Sequence, residues 1–109
     1  MVKLSDFVVQ SFVDRDVRDA FLISGGGIMH LLDSVGRNGG MRYFCNYHEQ
    51  ACAVSAEGYG RATGRPGLCF GTTGPGAINA LSGILGAWMD SVPLAPWPPA
   101  CGVSRISRQ

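Results

Sequence analysis

At 109 residues the chain is the size of one small domain with a modest core. A net charge of +1 with 16% charged residues gives no electrostatic footprint for nucleic acid or an anionic membrane. No apolar run approaches the roughly 20 residues of a membrane span, and the charged residues 1–20 lack the apolar stretch of a secretory leader. No nucleic-acid or membrane partner is expected, and the location expected is cytoplasmic.

Ser5 reads as a helix cap with Asp6 in the first turn, and Leu4, Phe7, Val8, Phe12 and Val13 recur at helical spacing. Ala20-Phe21-Leu22-Ile23 reads as a buried strand running into the glycine turn Ser24–Gly27. Ile28, Leu31, Leu32 and Val35 mark a second helix, closed by Asn38-Gly39-Gly40. Met41–Cys45 is a second strand. Glu49–Thr63 is helical but rich in small residues. Its internal glycines, Gly58 and Gly60, cost about 1 kcal/mol each relative to alanine, so this helix needs close packing. After the turn Gly64–Gly67, Leu68–Phe70 forms a third strand and Gly71–Gly76 a break. Ile78, Leu81, Ile84, Leu85, Trp88 and Met89 then trace a helical stripe. Alternating helices and apolar strands predict an α/β fold, a partial parallel sheet flanked by helices. Residues 1–94 are read as this partial domain. Pro96, Pro98 and Pro99 exclude a central strand, so 95–109 is expected to be a divergent, disordered tail.

The four cysteines, Cys45, Cys52, Cys69 and Cys101, form no C-x-x-C pair. They read as reduced, buried thiols of a cytosolic protein, and no metal site is expected in the chain. Gly25–Gly27 lacks the G-x-G-x-x-G spacing of a dinucleotide fingerprint. Gly71–Gly76 lacks the Gly-Lys-Ser/Thr ending of a P-loop. Nucleotide binding is therefore the poorer reading. Three segments, Ser24–Gly27, Asn46–Glu49 and Thr72–Gly76, fall at the carboxyl ends of strands, where such sheets bind ligands. Pro75-Gly76 opens a helix whose first N–H groups favour an electron-rich ligand. Taken alone, Glu49 is a first-turn glutamate favoured by the helix dipole, and His48 is a packed histidine.

The combined pattern reads differently. Tyr47-His48-Glu49-Gln50-Ala51, Ala56-Glu57-Gly58-Tyr59-Gly60-Arg61-Ala62-Thr63-Gly64, Thr72-Thr73-Gly74-Pro75-Gly76-Ala77-Ile78-Asn79 and Asp90-Ser91-Val92-Pro93 occur in this order. Together they resemble the thiamine-diphosphate enzymes of the acetolactate synthase and pyruvate oxidase group, over about residues 3–94. The matching region corresponds to part of the aminopyrimidine-binding domain. The loop Ser24–Leu31 is similar to that of sugar-modifying carboligases, although many family members carry proline where Ser24 stands.

The resemblance implies a cofactor, thiamine diphosphate with Mg2+, and a 2-oxo acid substrate such as pyruvate, whose two-carbon unit passes to an acceptor. It implies that Glu49 is catalytic, hydrogen-bonding the pyrimidine nitrogen N1′ and exchanging a proton there. Gly25, Pro75 and Asn79 would line the pyrimidine pocket and His48 the substrate side. The family holds diphosphate and Mg2+ through a Gly-Asp-Gly motif on a separate domain, and no Gly-Asp-Gly occurs here. The expected partner is therefore a second copy or a diphosphate-domain chain, with this chain inactive alone. A frameshifted or prematurely ended gene is the expected origin. The alternatives are a non-catalytic remnant or interaction module, and a subunit of a split decarboxylase.

Overall fold

The structure, a computed structural model, describes residues 1–97. Four helices and four strands alternate: α1 (Leu4–Val13), β1 (Asp19–Leu22), α2 (Met29–Arg37), β2 (Arg42–Cys45), α3 (Glu49–Thr63), β3 (Gly67–Phe70), α4 (Pro75–Met89) and β4 (Leu94–Trp97). A short 3-10 turn, Gly26–Ile28, leads into α2. The strands form one parallel sheet in the order β2-β1-β3-β4, as the alternation predicts. Among the described residues no helix is long and apolar enough to cross a membrane.

Side chains alternate across the strands. Ala20, Leu22, Leu68 and Phe70 join Val9, Val13 and Val35 in a core on the α1 and α2 side. Phe21, Ile23 and Cys69 turn the other way, towards Cys52, Ala53, Ala56 and Ala80 of α3 and α4. From β1 the chain steps to β2, then crosses back over β1 to β3. The order reverses between β1 and β3, which makes the loops after these two strands the switch point where parallel sheets place ligands.

At the opposite end of the sheet Asp19 is buried. Tyr59 Oη donates to its Oδ2 at 2.6 Å. Arg42 Nη2 lies 2.7 Å from Oδ1, paired by charge without hydrogen-bond alignment. This cluster ties β1, β2 and α3 together.

Several expectations are corrected. Ser5 caps nothing: Lys3 is the residue before α1, and Ser5 is buried, hydrogen-bonded to Ser34 Oγ at 2.8 Å. The buried row of α1 is Ser5, Val9 and Val13. These small side chains, four apart, let the helix sit close, while Leu4 and Phe7 of the expected stripe are exposed. β2 is exposed along its whole length, because as an edge strand it is not covered like β3. Cys45 on it is an exposed thiol, whereas Cys52 and Cys69 are buried and free; Cys101 lies outside the described residues. On α4 the small residues Gly76, Ala80, Gly83 and Ala87 are buried, and Ile78, Leu81, Leu85, Trp88 and Met89 of the apolar stripe are exposed.

β4 carries the sheet past the boundary expected at 94. Pro96 pairs opposite Cys69, and an edge strand tolerates a residue with no N–H to donate. Trp97 packs edge-on against Phe12 at 5.8 Å. The rest of the expected tail, 98–109, lies outside the described residues.

Candidate active site

The site begins where β2 ends. His48, in extended conformation, caps α3: its Nδ1 accepts from Gln50 N at 3.1 Å. The cap uses one ring nitrogen and leaves the imidazole exposed at the rim. It also fixes Glu49 as the first residue of α3, with its side chain turned inward and only 7% of the residue exposed.

Two glycines make room for that side chain. A Cβ on Gly71 would lie 3.5 Å from Glu49 Cγ, and one on Gly76 would strike Glu49 Oε1. The carboxylate therefore lies against the first turn of α4. Pro75 occupies the start of that helix, where its fixed φ is suited and no N–H is needed. Asn79, one turn further on, brings Nδ2 to 3.5 Å from Glu49 Oε2, the outer limit of a hydrogen bond. Pro75 and Asn79 are both exposed.

Gly25 belongs to the same neighbourhood, but indirectly. Its φ of −169° is open to any residue. What requires glycine is space: a Cβ there would lie 2.7 Å from Thr72 Oγ1. The structure thus brings Glu49, Asn79 and the start of α4 together directly, joins Gly25 to them through Thr72, and leaves His48 at the edge. Around Gly26 and Gly74 a Cβ would meet nothing within 4 Å, so each loop has open backbone at one glycine.

The sequence marked Thr72–Gly76 as a segment at the strand ends but gave Gly71, Thr72 and Gly76 no individual role beside Glu49. The available signal was the glycine- and threonine-rich run from Gly71 to Gly76, but its meaning depends on which segments it touches.

Burial pushes the Cys52 thiol up to about 11, with the nearby Glu49 charge acting in the same direction. Burial likewise pushes Cys69 up to about 12. Both are neutral thiols rather than nucleophiles at ordinary pH. Across Gly71 an apolar cavity of about 340 Å³ lies between α4 and β4, bounded by Cys69, Ile78, Leu81, Pro96 and Trp97.

A buried carboxylate acceptor, a neighbouring amide and open glycine backbone suit a flat heteroaromatic ring carrying a nitrogen and an amino group. The donor set fits the aminopyrimidine part of thiamine diphosphate. Among the described residues no group of three or more His, Cys, Asp or Glu is placed to hold a metal ion.

Residues 2–95 match the family model described as thiamine pyrophosphate enzyme, N-terminal TPP binding domain. The chain is 44% identical over 96 residues to the acetolactate synthase large subunit of Haemophilus influenzae, covering 86% of this chain and 17% of that protein. It is 40% identical over 94 residues to the acetolactate synthase isozyme 3 large subunit of Escherichia coli, covering 86% and 16%. It is 39% identical over 92 residues to the chloroplastic acetolactate synthase of Arabidopsis thaliana, covering 84% and 14%. The chain thus spans about a sixth of the length of these relatives.

Proposed function

The chain belongs to the thiamine pyrophosphate enzymes, as their N-terminal TPP-binding domain and alongside the acetolactate synthases, and from this premise we propose that it forms the aminopyrimidine half of a thiamine-diphosphate site. The observation that carries the reading is the Glu49 carboxylate, buried at the strand edge against Gly71 and Gly76 with Asn79 beside it. Glu49 accepts and returns a proton at the pyrimidine ring nitrogen. Glutamine could hydrogen-bond there but could not exchange the proton. Asn79, Pro75 and the backbone of Gly25 orient the ring, and His48 faces the substrate side. When bound, thiamine diphosphate supplies the electron sink that stabilises a carbanion next to a carbonyl.

The reaction is decarboxylation of a 2-oxo acid such as pyruvate with transfer of the two-carbon unit to an acceptor. Mg2+ and the diphosphate are held by residues on another domain, since none of the described residues is placed to hold a metal ion, and residues 1–109 alone are inactive. The test is calorimetric titration of the chain with thiamine diphosphate and Mg2+, for wild type and Glu49→Gln. Binding by wild type that weakens in Glu49→Gln is the expected result. Failure of wild type to bind, alone and when co-expressed with a diphosphate-domain protein, overturns the reading. The exposed row Leu81, Leu85 and Trp88 on α4 favours a second reading, a non-catalytic interaction module. That reading predicts partner association with no effect of thiamine diphosphate.

A further inference from the structure

Thr72 stands at the crossing of the two switch-point loops. Its Oγ1 is the atom that a Cβ on Gly25 would meet at 2.7 Å, and its Cβ would be met at 2.9 Å. On its other side, a Cβ on Gly76 would lie 2.6 Å from Thr72 Cγ2. Gly76 is also the residue against which the Glu49 carboxylate rests. Thr73 repeats the motif one step along: a Cβ on Gly27 would lie 2.9 Å from its Oγ1. Two threonines from the loop after β3 thus fit against two glycines from the loop after β1. The branched side chain of Thr72 connects this clasp to α4.

We propose that Thr72 is a positioning residue for Glu49. Its methyl, wedged against Gly76, sets where the first turn of α4 lies, and that turn sets where the Glu49 carboxylate lies. The hydroxyl side sets the distance to the Gly25 loop. A side chain without a β-branch leaves a gap on one of these two sides, and the loop and helix are free to close it. Threonine holds both because its β-branch is stiff about χ1. The role is steric, so shape rather than hydroxyl chemistry is what the site needs. Its consequence for cofactor binding rests on the reading that Glu49 meets the aminopyrimidine ring.

The test compares wild type, Thr72→Ser and Thr72→Val in the full 109-residue chain. Serine removes the methyl at Gly76, whereas valine keeps both branches. Three quantities are read: thiamine diphosphate affinity with Mg2+, thermal midpoint, and the amide NMR shifts of Glu49 and Gly76 without cofactor. Thr72→Ser is expected to weaken binding about tenfold or more, since small misplacements are costly in a preorganised site. It should also move both amide resonances, with little change in midpoint. Thr72→Val should restore affinity and both resonances. Serine behaving as wild type, or affinity and midpoint falling in parallel in both variants, overturns the proposal. If wild type binds no thiamine diphosphate, the functional reading fails. The cofactor-free spectra still decide the positioning role: Glu49 and Gly76 resonances unmoved in Thr72→Ser overturn it, and their movement, reversed by valine, upholds it.

Discussion

Two carboxylates are buried among the described residues, Asp19 and Glu49, and they sit at opposite ends of the sheet with different partners. Glu49 meets Asn79 at 3.5 Å, which leaves acceptor capacity for a ligand. Asp19 is held by Tyr59 and Arg42. Burial alone would raise the Asp19 pKa, but the Arg42 guanidinium and the Tyr59 hydroxyl outweigh it, and the net shift is below the ordinary 3.8. A depressed carboxylate stabilises the fold above its unfolded pKa, and that contribution is lost as pH falls through the folded value. Tyr59→Phe removes the donated bond, and hydrogen bonds to charged groups are worth roughly 1.5–3 kcal/mol. With Tyr59 only partly buried, the expected cost is about 1 kcal/mol near neutral pH. Urea unfolding of both proteins from about pH 7 down to about pH 3 checks this: the difference should shrink as Asp19 is protonated. A difference independent of pH would show that Tyr59 acts through packing alone.

At the scale of elements, the α3–α4 contact is small against small. Ala53 and Ala56 of α3 cluster with Ala80 of α4, Gly83 and Ala87 are buried on the same helix, and a Cβ on Gly83 would lie 2.6 Å from Ala53 Cβ and 2.9 Å from α3 backbone. Gly83→Ala is expected to destabilise by about 1–3 kcal/mol, since overpacking outweighs the helix propensity gained. Gly58, also inside a helix, faces open space, so Gly58→Ala should stabilise by about 0.5–1 kcal/mol. Thermal melts of the two variants should move in opposite directions, and both rising would mean that the helices separate without cost. This contact also explains what was legible in the sequence. The order of elements, the parallel sheet and the need of Glu49–Thr63 for close packing all follow from spacing and composition. Which face of α1 and α4 turns inward does not, because a large apolar stripe signals the core only when the facing surface has room for large side chains. Here α3 presents alanine and glycine, so the small row of α4 goes in and Trp88 stays out. Glu49 was legible because ordered motif blocks surround it. Thr72 was not, because its role depends on Gly25 and Gly76, glycines in separate segments.

For the whole molecule, that same choice of face has a cost at the surface. Trp88 is 80% exposed, and Leu81, Leu85 and Met89 accompany it on α4, with Leu4 and Phe7 exposed on α1. The two groups lie on opposite faces of the sheet, and soluble monomers seldom expose large apolar patches. The sheet also ends at β2 in a strand whose Tyr43 and Phe44 are exposed, and an uncovered edge offers unpaired N–H and C=O groups to other chains. The isolated 109-residue chain should therefore self-associate, with an apparent mass in sedimentation velocity that rises with concentration. Leu85 and Trp88, three apart on one helix, share a face. Replacing both with glutamate should lower the association. It should leave the melting of the fold nearly unchanged, since exposed substitutions usually alter stability by less than about 0.5 kcal/mol. If the double variant associates as strongly as wild type, the β2 edge rather than α4 drives assembly, and a charge introduced at Phe44 becomes the substitution that should reduce it. A wild-type chain that stays monomeric at every concentration would mean that neither surface is sticky enough to matter.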